Sequence, residues 1–188
     1  MLADADVRFV ANFLPDADDL FDEVKKTTAW QDRTIRMYGK DIPLPRRTAW
    51  YGDPGTGYVY SGIENVPMPW TAAISTIRAA VEARCDVQFN SVLLNRYRTG
   101  KDSVAWHADD EPELGDQPCI ASVSLGATRT FRFKHKRRED LQASIALTHG
   151  SLLVMRGQTQ ANWLHCIPKT TKPVGERINL TFRQVRSR

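Results

Sequence analysis

The sequence contains no apolar stretch that approaches the ~20 residues needed for a transmembrane helix. It begins M-L-A-D-A-D, without the basic and apolar segments of a signal peptide. Its three cysteines are odd in number and form no C-x-x-C pair, which argues against a disulfide scaffold or a zinc-finger-type site. These absences predict a protein of a reducing compartment, cytoplasmic or, in a eukaryote, nuclear, without membrane contact. Nothing in the sequence indicates an obligate protein partner.

The 188 residues, 41% hydrophobic and 26% charged, are sufficient for one globular domain with a substantial core. The net charge of +4 is unevenly distributed along the chain. Residues 1–24 contain seven acidic residues and one arginine, so this segment carries −6 and the remainder +10. A body that basic favours a polyanionic partner, nucleic acid first, although a generic soluble surface is the alternative.

Hydrophobic periodicity separates helices near the N-terminus from strands in the second half of the chain. After a short strand over residues 7–14, it predicts helices over 16–29 and 69–84. Residues 30–48 are polar, basic and interrupted by glycine and proline, which predicts a surface loop. Predicted strands with glycine-bearing turns follow at 87–98, 104–109, 120–125, 130–135, 143–147, 152–155 and 177–185. This pattern predicts a mostly β protein with flanking helices, an antiparallel sandwich or jelly roll.

His107 and Asp109 are the first candidates for a metal site. In an extended strand, residues i and i+2 point to the same face, so the imidazole and the carboxylate can bind one ion. Two histidines and one carboxylate on one face of an octahedron suit non-haem Fe(II) oxygenases. Taken alone, an H-x-D pair is more often a solvated surface feature or a satisfied hydrogen bond.

The third ligand must be one of the other three histidines. We predict His165, because a turn can bring its short segment back beside the strand that contains Arg177 and Arg183. His149 lies at a predicted turn and is interpreted as structural. His135 adjoins the basic run at residues 134–138 and is interpreted as solvent-facing.

The final predicted strand has a polar face directed into the jelly roll. Alternation places four polar residues on that face, Arg177, Asn179, Thr181 and Arg183. Asn95 and Tyr97 form a similar pair on an earlier strand. An inward arginine needs an anionic partner, which a dicarboxylate ligand would supply.

Five stretches follow one another along the chain, namely L-L-N-R-Y-R-T-G-K-D, W-H-A-D-D-E, S-V-S-L-G-A-T-R-T-F, H-G-S-L-L-V-M and R-I-N-L-T-F-R. Together they resemble the AlkB family of Fe(II)/2-oxoglutarate-dependent dioxygenases. The resemblance covers roughly residues 36–185. It implies a double-stranded β-helix within a single domain, with an N-terminal extension and nucleotide-recognition lid to about residue 86 and the catalytic core over about 87–186.

The resemblance also implies the cofactors, namely Fe(II), the co-substrate 2-oxoglutarate, and O2. Iron would bind His107, Asp109 and His165. The 2-oxoglutarate would be held by the six polar residues of the two strands, with Arg183 gripping the distal carboxylate. The implied reaction is oxidative removal of alkyl groups from bases such as N1-methyladenine and N3-methylcytosine in DNA or RNA, with release of formaldehyde. Two alternatives are a 2-oxoglutarate-dependent oxygenase acting on protein or a small molecule, and a nucleic-acid-binding module without catalysis.

The substrate-binding residues are predicted less directly. Met37 and Tyr38 lie between cations, at the position of a family loop that enters duplex DNA. Tyr51 and Tyr60 belong to an aromatic, glycine-rich segment that suits base stacking, and Tyr60 could sandwich a base against His107. Asp110 and Glu111 could favour cationic methylated bases. Each of these residues has a structural alternative, in the core, at a hairpin tip or in a salt bridge.

Overall fold

The structure, a computed structural model, describes residues 2–37, 40–56, 58–60 and 63–186, without the side chains of 35–41 and 57–65. The helices are α1 (Ala17–Thr27), α2 (Ala72–Cys85) and α3 (Thr159–Asn162). The strands are β1 (Asp6–Val10), β2 (Gln31–Met37), β3 (Lys40–Gly52), β4 (Tyr58–Tyr60), β5 (Ile63–Asn65), β6 (Ser91–Tyr97), β7 (Val104–His107), β8 (Ile120–Gly126), β9 (Arg129–His135), β10 (Gln142–Leu147), β11 (Ser151–Arg156), β12 (Trp163–Ile167) and β13 (Arg177–Arg183).

Two antiparallel sheets face one another. The larger has the order β1-β11-β8-β13-β6-β3-β2, and the smaller has the order β10-β9-β12-β7. Strands β6 to β13 contribute four neighbours to each sheet and cross between the sheets repeatedly, which is a jelly roll. The fold prediction is therefore confirmed. β12 is a strand that the sequence pattern did not reveal.

Two apolar clusters hold the layers together. One packs α1 and α2 against the outer face of the large sheet, and the second fills the space between the sheets. Helix α2 is capped at its N-terminus by Thr71, whose side-chain oxygen accepts the N–H of Ile74, and is followed by Asp86, whose φ is 53°. Its fully buried Ile74, Ile77 and Val81 each contribute about 1.5–3 kcal/mol of hydrophobic stabilisation.

The prediction of a surface loop over residues 30–48 is wrong. The described part of this segment forms the antiparallel pair β2–β3, called the β2–β3 hairpin, whose second strand also pairs with β6 from Arg47 to Gly52. Pro43 and Pro45 are tolerated because that part of β3 pairs only with β2, so its other edge needs no backbone donor. The N-terminal residues therefore build the large sheet together with the core strands, and β1 also pairs with β11. Among the described residues, no helix is long and apolar enough to cross a membrane.

Candidate active site and its family

Three predicted metal ligands meet at one point between the sheets. His165 on β12 is the antiparallel partner of His107 on β7, and Asp109 lies two residues past that pair. The ligand atoms of the three side chains all lie within 4.8 Å of one another. His165 and Asp109 are only 3% and 1% exposed, so the site is shielded from bulk water.

The orientation of each ligand is set by a second contact. Nδ1 of His107 lies 2.9 Å from the carbonyl oxygen of Ala105, which directs Nε2 toward the cluster. The His165 ring stacks on Phe131, with ring centroids 5.0 Å apart. The backbone N–H of Asp109 donates to Oε1 of Gln160 at 2.9 Å, and Gln160 is 1% exposed.

The charges of the cluster suit a divalent cation. Burial opposes ionisation of Asp109, but Arg183, His165 and His107 outweigh it and hold its pKa at about 2. Burial, together with His107, lowers the pKa of His165 to about 3. A carboxylate and imidazoles without extra protons are the forms that bind metal, so these residues fit Fe(II).

The cavity beside the cluster is lined by the predicted co-substrate residues, Asn95, Tyr97, Arg177, Asn179, Thr181 and Arg183. Thr181 donates to Oδ1 of Asn179, whose amide nitrogen donates to Ser122 and Val123. Arg177 packs over the ring of Tyr97 at 5.1 Å and donates from Nη2 to Ser124 Oγ at 2.8 Å.

Arg177 is a buried cation with no anionic partner among the described residues. It is 1% exposed, and burial lowers its pKa to about 10. Among the described residues, its Nε and Nη1 have no hydrogen-bond partner. Leaving such donors unpaired is costly, so the geometry fits an anionic ligand that enters the cavity.

Arg183 has a different environment from the one expected. Its Nη2 donates to Oδ1 of Asp109 at 2.6 Å, and both side chains are 2% exposed. Arg183 thus contacts a predicted metal ligand directly. Arg177, at the start of β13 and beside Tyr97, does not share this contact with Asp109.

The predicted substrate residues differ in their burial and in their contacts. The position of Tyr51 contradicts its predicted role, because β3 alternation turns it toward the helices, where its hydroxyl accepts the N–H of Ala29. Asp110 is 57% exposed at its side chain and pairs with Nζ of Lys136 at 2.9 Å. Glu111 is half-buried, and burial raises its pKa. The side chains of Met37 and Tyr60 and all of Tyr38 lie outside the described residues.

The two histidines outside the metal cluster, His149 and His135, are both held by backbone N–H groups. His149 is structural, because its Nδ1 accepts the backbone N–H of Gly126 at 2.7 Å. The solvent-facing prediction for His135 is wrong, since this residue is 9% exposed. Its Nδ1 accepts the N–H groups of Arg137 and Arg138, because β9 alternation turns the ring inward with Phe131 and Phe133.

Sequence reasoning missed Arg46 and Gln160. Arg46 lines the cavity and donates from Nε to Oδ1 of Asn95 at 2.6 Å. It could have been found by reading residues 46–50 as a strand, because alternation puts Arg46, Thr48 and Trp50 on one face. No sequence signal marks Gln160, which reaches Asp109 across 51 residues of chain.

A larger cavity, about 410 Å³, lies at another place in the fold. Apolar residues such as Val7, Phe133, Ile145 and Trp163 make up much of its lining, which includes none of the metal ligands. The chemistry therefore belongs to the smaller polar cavity.

Comparison with known proteins agrees with this donor set. The family described as the 2OG-Fe(II) oxygenase superfamily matches residues 6–183. The chain belongs to this superfamily. Membership implies Fe(II), 2-oxoglutarate and O2 as its metal and co-substrates, as predicted from the sequence.

Individual relatives confirm the resemblance to the AlkB family. The chain is 42% identical to mouse alpha-ketoglutarate-dependent dioxygenase alkB homolog 3, over 92% of this chain and 63% of that protein. It is 38% identical to human DNA oxidative demethylase ALKBH2, over 90% of this chain and 69% of that protein. The chain thus spans less than two thirds of the mouse protein.

A solved structure confirms the fold. The structure of OsALKBH1 superposes with a TM-score of 0.67 and 20% sequence identity, over 95% of this chain and 97% of that one. At this identity the likeness concerns architecture alone.

Proposed function

We propose that this chain catalyses oxidative dealkylation of N-alkylated bases in DNA or RNA, with N1-methyladenine and N3-methylcytosine as representative substrates. The observation that carries the proposal is the His107–Asp109–His165 cluster, which adjoins a buried arginine with unused donors. Relatives named DNA oxidative demethylase, 38–40% identical to this chain, support the substrate class.

The two histidines and Asp109 would hold Fe(II) on one side and leave the other side open to ligands. Bound iron would couple decarboxylation of 2-oxoglutarate by O2 to hydroxylation of the N-alkyl carbon, giving succinate, CO2 and a hemiaminal that releases formaldehyde. The protein supplies position rather than a strong acid or base.

For 2-oxoglutarate, we assign the distal carboxylate to Arg177 rather than to Arg183. Arg177 offers Nε and Nη1, and Tyr97 lies against its guanidinium. Arg183 is committed to Asp109, so it would act at the metal end, close to the carboxylate that joins the keto group. Asn95 and Asn179 complete the polar wall of the cavity.

For the base, Glu111 is a better candidate than Asp110. The charge of Asp110 is offset by Lys136, whereas Oε2 of Glu111 is shielded and has no hydrogen-bond partner among the described residues. A half-buried carboxylate favours a cationic methylated base over a neutral one. Tyr60 and the His107 ring remain the proposed sandwich, and the β2–β3 hairpin the proposed lid. Reaching the iron requires the base to leave its stack.

The rival function is hydroxylation of a protein or a small molecule with the same iron site. The basic segment that follows β9 favours nucleic acid as the substrate. Nζ of Lys136 in this segment donates to Oδ2 of Asp110 and to the carbonyl oxygen of Gln160, which places its charge beside the predicted metal ligands. Exposed Trp106, with the Lys134 ammonium 4.8 Å from its ring centre, adds an aromatic and cationic surface beside His107. A cytoplasmic or nuclear location accords with this substrate.

Formaldehyde and succinate release from an oligonucleotide that contains N1-methyladenine tests the proposal. We expect stoichiometric release with Fe(II), 2-oxoglutarate and O2, and none from the unmethylated oligonucleotide. His165→Ala should abolish release, while His149→Ala, a histidine outside the cluster, should retain it in folded protein. If 2-oxoglutarate is consumed but no formaldehyde comes from methylated DNA or RNA, the nucleic-acid assignment is wrong.

A further inference from the structure

A second chemically distinctive site lies where the end of α2 meets the start of β8. Cys85 is the last residue of α2, and Cys119 immediately precedes β8. Both cysteines are free thiols, and their side chains are close enough to influence each other's pKa. Cys85 is 2% exposed and Cys119 is half-buried, so the pair is held in fixed packing at the edge of the outer apolar cluster.

Arginines surround this pair. Arg156, at the end of β11, donates from Nη2 to the carbonyl oxygen of Cys85 and interacts electrostatically with both thiols. Its Nε has no hydrogen-bond partner among the described residues. Arg84 adds a second nearby positive charge.

A small cavity gives access to one of the two sulfurs. Its volume is about 20 Å³, and its lining comprises Arg8, Val10, Arg84, Cys85, Val154 and Arg156. A space of ~10–15 Å³ already admits one water molecule. Cys119 is not part of the lining, so a small reagent that enters this cavity meets Cys85 first.

The surroundings of the two sulfurs shift their pKa values in opposite directions. The hydrogen bond from Cys119, followed by Arg156 and Arg84, outweighs burial and lowers the pKa of Cys85 to about 6. The same hydrogen bond, together with burial, raises the pKa of Cys119. These opposite directions favour the thiolate form at Cys85 and the thiol form at Cys119.

We propose that Cys85 and Cys119 are a peroxide-reactive dithiol, with Cys85 as the nucleophile and Cys119 as the resolving thiol. The Cys85 thiolate attacks one oxygen of hydrogen peroxide, the O–O bond breaks, and the departing hydroxide takes a proton to become water. The resulting sulfenic acid reacts with Cys119: the S–S bond forms, the S–O bond breaks, and the Cys119 proton leaves with hydroxide as a second water. Sulfur is oxidised and peroxide is reduced, so no further reagent is needed.

Cys166 provides a reference within the same chain. It is 5% exposed on β12, and burial raises its pKa. Arg132 and Lys134 lie near it, as Arg156 lies near Cys85, but no cysteine bonds to it among the described residues. If nearby positive charge alone made a cysteine reactive, Cys166 would be as reactive as Cys85.

The test treats the full chain with hydrogen peroxide after iron removal by a chelator, without 2-oxoglutarate or nucleic acid. Peptide mapping under non-reducing conditions should show a Cys85–Cys119 disulfide, while Cys166 remains reduced. In Cys119→Ser, a sulfenic-acid trap such as dimedone should label Cys85. Arg156→Gln should slow the loss of Cys85 thiol by about threefold or more through a smaller thiolate fraction, whereas Arg132→Gln should not.

Cys85 is buried, so a substitution beside it can disturb the fold. The measurement on the unmodified protein therefore decides the result, and Cys166 serves as its internal standard. Equal oxidation of Cys166 and Cys85, no linkage between Cys85 and Cys119, or an unchanged rate in Arg156→Gln would each overturn the proposal. The test contains no step of base dealkylation, so its failure is distinguishable from failure of the proposed enzymatic function.

Discussion

Nη2 of Arg183 lies 2.6 Å from Oδ1 of Asp109, although the two residues are 74 positions apart in the chain. Both side chains are almost completely buried, so this is a desolvated pair inside the predicted metal site. The contact joins the co-substrate strand β13 to the ligand that follows β7. It fixes one carboxylate oxygen and leaves Oδ2 on the side of His165, 3.9 Å from its Nε2.

Substitutions of the two arginines of β13 should therefore have different effects on ligand and metal binding. Arg177→Met should weaken 2-oxoglutarate binding at least ~30-fold, because a buried carboxylate loses its partner at a cost of about 2–5 kcal/mol. Its affinity for metal should change little. Arg183→Met should lower metal affinity as well, since Asp109 loses the donor that orients it.

Calorimetric titration with Mn(II), followed by 2-oxoglutarate, measures both affinities without turnover. Arg132→Met, on the outward face of β9, is the matched control and should alter neither. Equal effects of Arg177→Met and Arg183→Met on metal binding would contradict the division of roles.

Gln160 should act as a positioning residue for the metal ligand. Gln160→Met keeps the side-chain length but removes the oxygen that accepts the Asp109 N–H. We expect metal affinity to fall by about 10–100-fold, the range typical when a partner of a metal ligand is lost. Gln158→Met makes the same substitution two residues earlier, at an exposed position, and should leave the metal affinity unchanged. Unaltered Mn(II) binding by Gln160→Met would show that Asp109 needs no such support.

Asp102 should make stability depend on pH. Its carboxylate accepts the backbone N–H, Nε and Nη2 of Arg98, which outweigh its burial and lower its pKa. A pKa lower in the folded than in the unfolded chain contributes stability above the unfolded value of 3.8. That contribution is lost as the pH falls through the folded value.

Asp102→Asn should thus reduce the free energy of unfolding at pH 7 by about 1–3 kcal/mol. The difference from the unmodified protein should shrink below pH ~4. Urea unfolding at several pH values measures it, and exposed Asp116→Asn is the control. A constant difference from pH 7 to pH 3 would mean that packing, rather than charge, supports the effect.

Met37 and Tyr38 should matter most for duplex substrate. β2 and β3 pair as far as Met37 and Lys40 at one edge of the large sheet, and Tyr38 lies outside the described residues. If these two residues offset the cost of unstacking, Met37→Ala/Tyr38→Ala should slow repair of methylated duplex strongly and of methylated single strand only mildly. Parallel kinetics on one lesion in both contexts measure this, and equal losses would assign the pair to base stacking instead.

Prediction from sequence succeeded where side-chain direction depends on local periodicity. The two-residue period along β13 placed Arg177, Asn179, Thr181 and Arg183 on one face, and these residues do line the cavity. It failed for β3, because arginines and prolines suggested a loop. The strand carries those residues because one stretch pairs only with β2 and Arg46 is bonded to Asn95.

The sequence by itself determined the composition of the site: an H-x-D pair, a distant histidine and a polar strand with two arginines, all within family motifs. Tertiary structure decided which residues meet. The register of β12 against β7 selected His165, β13 set Arg183 on Asp109, and α3 brought Gln160 to the same carboxylate. These contacts join residues 51 to 74 positions apart or depend on strand register. Local periodicity sets only the face of a side chain, whereas its partner is set by which strands become neighbours.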